Sequence, residues 1–204
     1  MKNWTYAALG DSTGVGVGAS DHQGYVRRVF SRLSEEVPGA RLVNLCVSGS
    51  TSADVLARQV DRAVSAQPEL VTLFIGGNDL WRGTDPSRFR SNIDAIADRL
   101  TQTRAAVLIG TLPNMAHAPA AAYAESLLGI SKSAIERRVI TYNEALSAAA
   151  ARHAYDTVDL FQVGLADRAH YFCGDGFHPS SEGYAFWTDL LWPAALRAIT
   201  KKAA

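Results

Sequence analysis

The sequence has little cysteine, and its cysteines are not spaced for a shared task. Its 204 residues include two, Cys46 and Cys173, which lie far apart and outside any CxxC pair. A disulfide framework is excluded and a zinc site is unsupported, since both need several ligands at short spacings. A reducing, cytoplasmic location is the simplest expectation.

An excess of charge and long apolar runs are missing as well. Lys plus Arg number 20 and Asp plus Glu number 20, so the formal net charge is zero. Nucleic acid is excluded as the main partner, because its binding needs a basic surface that neutralises phosphates. No stretch reaches the ~18 apolar residues of a membrane span, and the first residues, MKNWTYAALGD, lack the apolar core of a signal peptide. We therefore expect neither a span nor a leader.

Short apolar runs alternate with longer stretches of helical period. Hydrophobic residues make up 48% of the chain, and this alternation is typical of strand and helix units that build a parallel sheet. Strands are predicted at residues 5–9, 41–46, 70–75, 105–110 and 155–160. The middle three runs are apolar on both faces, which predicts their burial between two helical layers.

The stretches between the strands predict five helices. Helix ends are marked by proline, and Asp85-Pro86 is typical of a helix start. The helices are predicted at 26–37, from 52 to before Pro68, and at 85–100, 132–152 and 181–199, with a kink at Pro193. Residues 111–130 are predicted to form one long irregular connection, which in a compact domain is usually functional and here is a candidate partial lid.

These units predict a flavodoxin-like three-layer α/β/α sandwich around a five-stranded parallel sheet, with residues 1–204 in a single domain. Ligands of such sheets bind beyond the carboxyl ends of the strands. The segments at these ends are unusually polar: GDST at 10–13, SGST at 48–51, GGND at 76–79 and, after the last strand, DGFHPS at 175–180.

The residue types in these segments suit acyl transfer. A serine hydroxyl is a weak nucleophile that needs a base, and the base needs a third group to orient it and to stabilise its charged form. Ser12, His178 and Asp175 fill these roles, and the spacing of three residues lets Asp175 reach the ring of His178. The oxyanion of the reaction also needs donors. The backbone N–H groups of Ser12 and Gly49 and the side chain of Asn78 are assigned to it.

The four segments resemble the sequence blocks of the GDSL or SGNH serine hydrolases. They occur in the same order as in that family and span nearly the whole chain. The resemblance implies the same roles: Ser12 as nucleophile and first oxyanion donor, Gly49 and Asn78 as the other donors, and His178 and Asp175 as base and partner. It implies no metal and no cofactor. Thr13 stands where the family often has Leu, and Cys46 where relatives often have another small residue.

Other polar residues near these blocks are given structural roles. Asp11 and Asp79 are expected to brace their loops, and Cys173 to pack. His22, His153 and His170 are expected at the surface, whereas His117, in the segment 111–130, is the one placed to border a substrate. Six apolar side chains are candidates for lining the site: Leu80, Trp81, Met115, Tyr123, Leu127 and Leu128.

Two alternatives come from other classes of protein. Gly14, Gly16 and Ala19 match G-x-G-x-x-A, the pattern of a dinucleotide-binding module. That fingerprint should follow the strand directly and be matched by an acidic residue at the end of the second strand, and neither holds here. A metal-dependent phosphoesterase is the other alternative, although the chain lacks the paired histidine motifs of two-metal sites.

The sequence therefore predicts a serine esterase that hydrolyses small carboxylic esters of short to medium acyl chains through an acyl-enzyme. Its partner is a small-molecule ester, and the oligomeric state is left open. Carbohydrate O-acetylesterase and acyl thioesterase or lysophospholipase activities remain alternatives on the same fold.

Chelation separates the serine mechanism from the metal-dependent one. We expect hydrolysis of p-nitrophenyl acetate to be unchanged after dialysis against EDTA, because the serine mechanism draws on no metal ion. The measurement is the initial rate before and after dialysis. A loss of activity that added divalent metal restores would support the phosphoesterase instead.

Overall fold

Five parallel strands form one sheet in the order β2-β1-β3-β4-β5. The structure, a computed structural model, describes residues 4–203 and the side chains of residues 4–200. The strands are β1 (Thr5–Gly10), β2 (Arg41–Asn44), β3 (Leu70–Phe74), β4 (Ala106–Gly110) and β5 (Asp156–Val158). This strand order is that of flavodoxin-like folds, so the predicted architecture is confirmed.

Helices cover both faces of the sheet. They are α1 (Ser12–Val15), α2 (Tyr25–Glu36), α3 (Ser52–Arg58), α4 (Val60–Ser65), α5 (Gly77–Trp81), α6 (Pro86–Leu100), α7 (Ala120–Leu128), α8 (Lys132–Arg152) and α9 (Ser181–Ala203), with 3₁₀ turns at Leu165–Asp167 and Ala169–Tyr171. No helix in this described part of the chain is both long and apolar enough to cross a bilayer.

The direction of the crossovers decides which helix lies on which face. The chain steps one way from β1 to β2 and the opposite way in every later step, so right-handed crossovers place α2 on one face and α3, α4, α6 and α8 on the other. Helix α9 returns to pack on α2.

Aromatic contacts fill both layers. On the α2 and α9 side the rings of Tyr25 and Trp187 stack at 5.2 Å, and on the other side Phe89 of α6 stacks on Tyr142 of α8 at 4.0 Å. All four side chains are buried, so each helical layer is fixed to the sheet by large apolar surfaces.

The burial predicted for the second strand is wrong. β2 is exposed at Arg41 and Asn44 and only half-buried at Leu42 and Val43, and it ends at Asn44 rather than at residue 46. The reason is the strand order, which places β2 at an edge and β1 in the interior. Every residue of β1, from Thr5 to Gly10, is buried. The fifth strand is also shorter than predicted, since it covers only Asp156–Val158.

Three predicted helical boundaries differ as well. The helix expected from residue 52 to before Pro68 is two helices, α3 and α4, that meet at Gln59. The segment 111–130 contains α7, which alanines favour and which Gly129 ends in the left-handed conformation. Helix α9 continues past residue 199, with Pro193 inside it. The four- and five-residue helices α1 and α5 are too short for periodicity to reveal.

Candidate active site

The polar segments predicted from the sequence meet at the carboxyl edge of the sheet. Strand β1 ends at Gly10 and leads to Ser12, and β3, its neighbour, leads to Asn78 in α5. The chain reverses its direction of sheet growth between these two strands. Such a switch point leaves a crevice in which ligands of open α/β sheets bind.

A continuous chain of hydrogen bonds joins three of the predicted residues. Ser12 Oγ lies 2.8 Å from His178 Nε2, and His178 Nδ1 lies 2.6 Å from Asp175 Oδ2. Because a carboxylate can only accept at Nδ1, the ring carries its proton there and Nε2 is free to accept the Ser12 proton. Ser12 itself is 5% exposed. The arrangement holds a serine hydroxyl against a ring nitrogen able to remove its proton.

A tight turn holds Asp175 and His178 together. Asp175 Oδ1 accepts hydrogen bonds from the backbone N–H groups of Phe177, at 2.8 Å, and His178, at 2.9 Å. The two ends of the turn are joined by a hydrogen bond from Cys173 N to His178 O at 2.8 Å. In turns of this kind an aspartate side chain bonds backbone amides two or three residues later, so the turn depends on neighbouring residues alone. The contact between Asp175 and His178 could therefore be predicted from their spacing of three residues.

The same hydrogen bonds set the charge state of Asp175. Burial disfavours the ionised carboxyl, but hydrogen bonds from the His178 ring and from the amides of His178 and Phe177 outweigh it and lower the pKa of Asp175 far below its ordinary value of 3.8. Asp175 is therefore an anion throughout the neutral range, as the partner of an imidazolium must be.

Three donors predicted for an oxyanion lie on neighbouring loops. Gly49 has φ +81°, a conformation that glycine adopts without strain. Asn78 Nδ2 donates to the carbonyl oxygen of Ser50 at 2.9 Å, which ties α5 to the loop that carries Gly49. Within the described chain no internal hydrogen bond uses the N–H groups of Ser12 or Gly49. Both amides are therefore open to a ligand.

The two aspartates beside the site brace loops in the way expected. Asp11 Oδ1 accepts from the amide and the hydroxyl of Thr13, both at 2.9 Å, and caps α1. Burial raises the pKa of Asp11 above 3.8. Asp79, fully buried, accepts from the amide of Ser52 at 2.8 Å and from its hydroxyl at 2.7 Å. These contacts tie the segment after β3 to the start of α3.

An apolar groove runs away from the catalytic edge. Its volume is about 360 Å³, within the range of small-molecule sites. Trp81 and Phe177 line the end of the groove near the site, and their rings meet edge to face at 5.9 Å. Trp81 is on α5, the helix that carries Asn78, and Phe177 directly precedes His178 in the sequence. Helix α7 forms the far side. The lining consists of Trp81, Ala120, Tyr123, Ala124, Leu127, Leu128 and Phe177.

Four of the six apolar candidates line this groove, and two do not. Leu80 is buried in the core. Met115 lines a small enclosed cavity of about 50 Å³ that also touches Asp11 and Phe177. His117 is not among the residues that line the groove. Its ring pairs instead with Asp167.

The glycine pattern of the dinucleotide alternative does not form the predicted geometry. Gly16 ends the four-residue helix α1 in the left-handed conformation instead of opening a long helix. The next long helix, α2, begins only at Tyr25, beyond the end of the pattern at Ala19, so the glycines do not lead directly into it. For the metal alternative, residues 4–200 contain no cluster of three or more His, Cys, Asp or Glu side chains arranged to hold an ion.

Sequence reasoning missed two residues that hold the site's loops. Arg82 donates from Nη2 to the carbonyl oxygen of Gly49 at 2.9 Å. Gln59, 2% exposed, pairs with both backbone groups of Gly10. The available signal for Gln59 was a polar residue at an apolar helical position, four residues after Val55. Arg82 offered none, since exposed arginines are common after helices.

Fold and site together define an α/β protein with a serine–histidine–aspartate chain at the sheet switch point. The family model of the GDSL-like lipase/acylhydrolase family matches residues 8–186. The chain belongs to this family.

Individual relatives agree with this assignment. Esterase TesA of Pseudomonas aeruginosa is 28% identical over 191 residues, which cover 93% of this chain and 86% of TesA. The crystal structure of TesA superposes with a TM-score of 0.76 at 26% identity, covering 95% of this chain and 99% of that one. The acetyl xylan esterase AlAXEase, 22% identical, has a TM-score of 0.74 over 93% of this chain and 98% of its own. This last likeness concerns the fold alone.

The lowered pKa of Asp175 predicts a pH-dependent stability. A depressed carboxyl pKa stabilises the fold above the unfolded value of 3.8 and loses that contribution as pH falls through the folded value. Compared with Asp175→Asn, the parent should gain urea resistance as pH rises from 2 to 5. The gain is modest, because the side chain is 46% exposed. A gap between the two urea midpoints that stays constant over this range contradicts the assignment.

Proposed function

We propose that this protein is a serine esterase that hydrolyses carboxylic esters of short to medium acyl chains through an acyl-enzyme. The observation that carries the proposal is the hydrogen-bonded chain from Ser12 Oγ through His178 to Asp175. The groups come from opposite ends of the sequence, so the proposal treats the chain as one catalytic domain.

In the first half-reaction Ser12 Oγ attacks the ester carbonyl. His178 Nε2 takes the hydroxyl proton, and the anionic Asp175 stabilises the resulting imidazolium. The C–O bond to the alcohol then breaks, and His178 returns the proton to the leaving oxygen. The products of this half are the free alcohol and an ester of Ser12.

The second half-reaction repeats these steps with water. His178 removes a proton from water, the hydroxide adds to the acyl carbonyl, and the bond to Ser12 Oγ breaks as the proton passes back to the serine. The acid leaves and the enzyme is restored. Each step needs the same short path between Ser12 and His178, which the 2.8 Å contact provides.

The negative charge that forms on the carbonyl oxygen is assigned to three donors. The N–H groups of Ser12 and Gly49 and the amide of Asn78 lie on the segments that follow β1, β2 and β3, so they are held by three segments rather than by one loop. Preorganised donors stabilise the transition state without reorganisation, and the loss of one costs ~10²–10³ in turnover.

We assign the acyl chain of the ester to the groove beside Phe177 and Trp81. It is lined by carbon almost throughout, and it offers no charged side chain to an alcohol or a sugar. An acyl chain extending from Ser12 along α7 would bury its methylenes there at ~0.8 kcal/mol each. Esterase TesA, a relative that matches most of the chain, is consistent with ester hydrolysis. Removal of acetyl groups from carbohydrates, the activity in the name of the relative acetylxylan esterase, would need no groove for a longer acyl chain.

The nucleophile is tested by removing its oxygen. We expect Ser12→Ala to lower kcat on p-nitrophenyl butyrate by ~10⁴-fold or more, because no other group can form the acyl-enzyme. The measurement pairs steady-state rates with mass-spectrometric mapping of a fluorophosphonate adduct, expected on Ser12. Ser65→Ala, at an exposed serine of α4, is the matched control and should keep the parental rate. A parental rate in Ser12→Ala, or an adduct on another serine, overturns the proposal.

Acyl-chain preference tests the groove. Leu127 is 77% exposed and lines it, so Leu127→Asp should lower kcat/KM for p-nitrophenyl octanoate by ~10-fold and leave acetate within about twofold, since only long chains lose apolar contact. Ile140→Asp is the control: this residue is 42% exposed, on α8 and outside the groove. Equal effects on acetate and octanoate, or the same shift in Ile140→Asp, contradict the assignment.

A further inference from the structure

The last residues of β1 extend beyond the end of β2, the neighbouring strand in the sheet. β2 pairs with β1 only as far as Ala8↔Asn44 and then leaves as the loop toward Gly49. Leu45 N still donates to Ala8 O at 2.8 Å, and Val47 N reaches Gly10 O at a long 3.3 Å. The N–H of Gly10 therefore faces a position that no β2 backbone occupies.

The side chain of Gln59 fills that position. Gly10 N donates to Gln59 Oε1 at 2.9 Å, and Gln59 Nε2 donates to Gly10 O at 2.9 Å. A primary amide has the same donor and acceptor as a peptide group, so this pair completes the ladder that β2 has abandoned. Gln59 is 2% exposed, and both partners are shielded from water.

This amide also reaches the second loop of the site. Gln59 Nε2 lies 3.4 Å from the hydroxyl of Ser50, the residue after Gly49. On its other side, Gly10 is packed so closely on β3 that a Cβ would lie 2.3 Å from Phe74 O. The segment before Ser12 is thus held between β3 and Gln59 and has no freedom to shift.

We propose that Gln59 is a positioning residue: by replacing the missing β2 backbone at Gly10, it fixes the Ser12 amide relative to the Gly49 loop and so sets the geometry of the oxyanion donors. The inference rests on the proposed function, because it assigns a task to the same donors. Gln59 touches no substrate and acts through Gly10 and Ser50.

Gln59→Glu gives a test that a purely structural role would not pass. A neutral glutamic acid has one donor and one acceptor and can make both bonds to Gly10, whereas the carboxylate has no donor and repels Gly10 O. Burial raises the pKa of a glutamic acid, to ~8–9 in documented cases. The kcat of the variant divided by that of the parent should be within about threefold of unity at pH 6 and fall at least ~10-fold by pH 9.

Neighbouring ionisable groups do not produce this result. The groups beside Gly10 are Asp11 and Cys46, and burial raises the pKa of both, that of Cys46 to well above 9.0. Both are present in parent and variant alike, so a titration of Asp11 or Cys46 divides out of the ratio.

A second pair of variants separates position from stability. Asn143 makes the same two bonds to Leu112, at 2.7 Å and 2.9 Å, in the interior behind β4. Gln59→Met and Asn143→Leu each remove such a pair, and each new side chain is apolar and similar in length to the one it replaces. We expect both to lower the Tm, but only Gln59→Met to lower kcat, by ~10- to 100-fold, with KM within about twofold of the parent.

The outcomes distinguish this inference from the proposed function. A pH-independent ratio for Gln59→Glu, failure of that variant to fold at pH 6, or an equal loss of kcat in Asn143→Leu overturns the role of Gln59. If the fluorophosphonate adduct still maps to Ser12, the esterase proposal survives that result. An adduct elsewhere in the parent removes the proposed function itself.

Discussion

The hydrogen bond between Ser12 and His178 joins residues that are 166 positions apart, and the rest of the architecture is arranged around it. Ser12 follows the interior strand β1, and His178 precedes the last helix. Helix α9 packs on α2, and the turn at 172–179 that precedes α9 places His178 against Ser12 at the end of β1. The site is therefore a product of the completed sheet and not of any local motif, although each half of it is encoded locally.

Much of this was readable in the sequence, because the signals were local or periodic. Alternating apolar runs predicted the five strands of a parallel sheet. Polar residues at the strand ends led to the prediction of a site at Ser12, Gly49, Asn78, Asp175 and His178, of which Ser12, His178 and Asp175 form a hydrogen-bonded chain in the structure. The errors have a common origin. The exposure of β2 depends on its place at the edge of the sheet, and the break between α3 and α4 depends on what Gln59 contacts across 49 positions of sequence. Neither property is present in a window of neighbouring residues, and a helix of four residues has no period to detect.

Hydrogen bonds join the loops of the site to one another. Asn78 binds the Ser50 carbonyl, Asp79 binds Ser52, and Arg82 binds the carbonyl of Gly49. These three bonds link the segment after β3 to the loop after β2, and Gln59 links that loop to β1. Electrostatic stabilisation of a developing charge works best when its donors do not have to move. Under the proposed mechanism, these bonds would hold the assigned oxyanion donors in place.

The lengths of the two outer strands affect how the protein behaves in a crowded solution. β2 has four residues and β5 has three. A sheet edge with unpaired backbone groups invites another chain to add to it, and the tendency grows with the length and flatness of the exposed strand. Here each edge offers only a few groups before the chain turns away into a loop. The early end of β2, which leaves the N–H of Gly10 to Gln59, thus also shortens the template on which intermolecular sheets could grow.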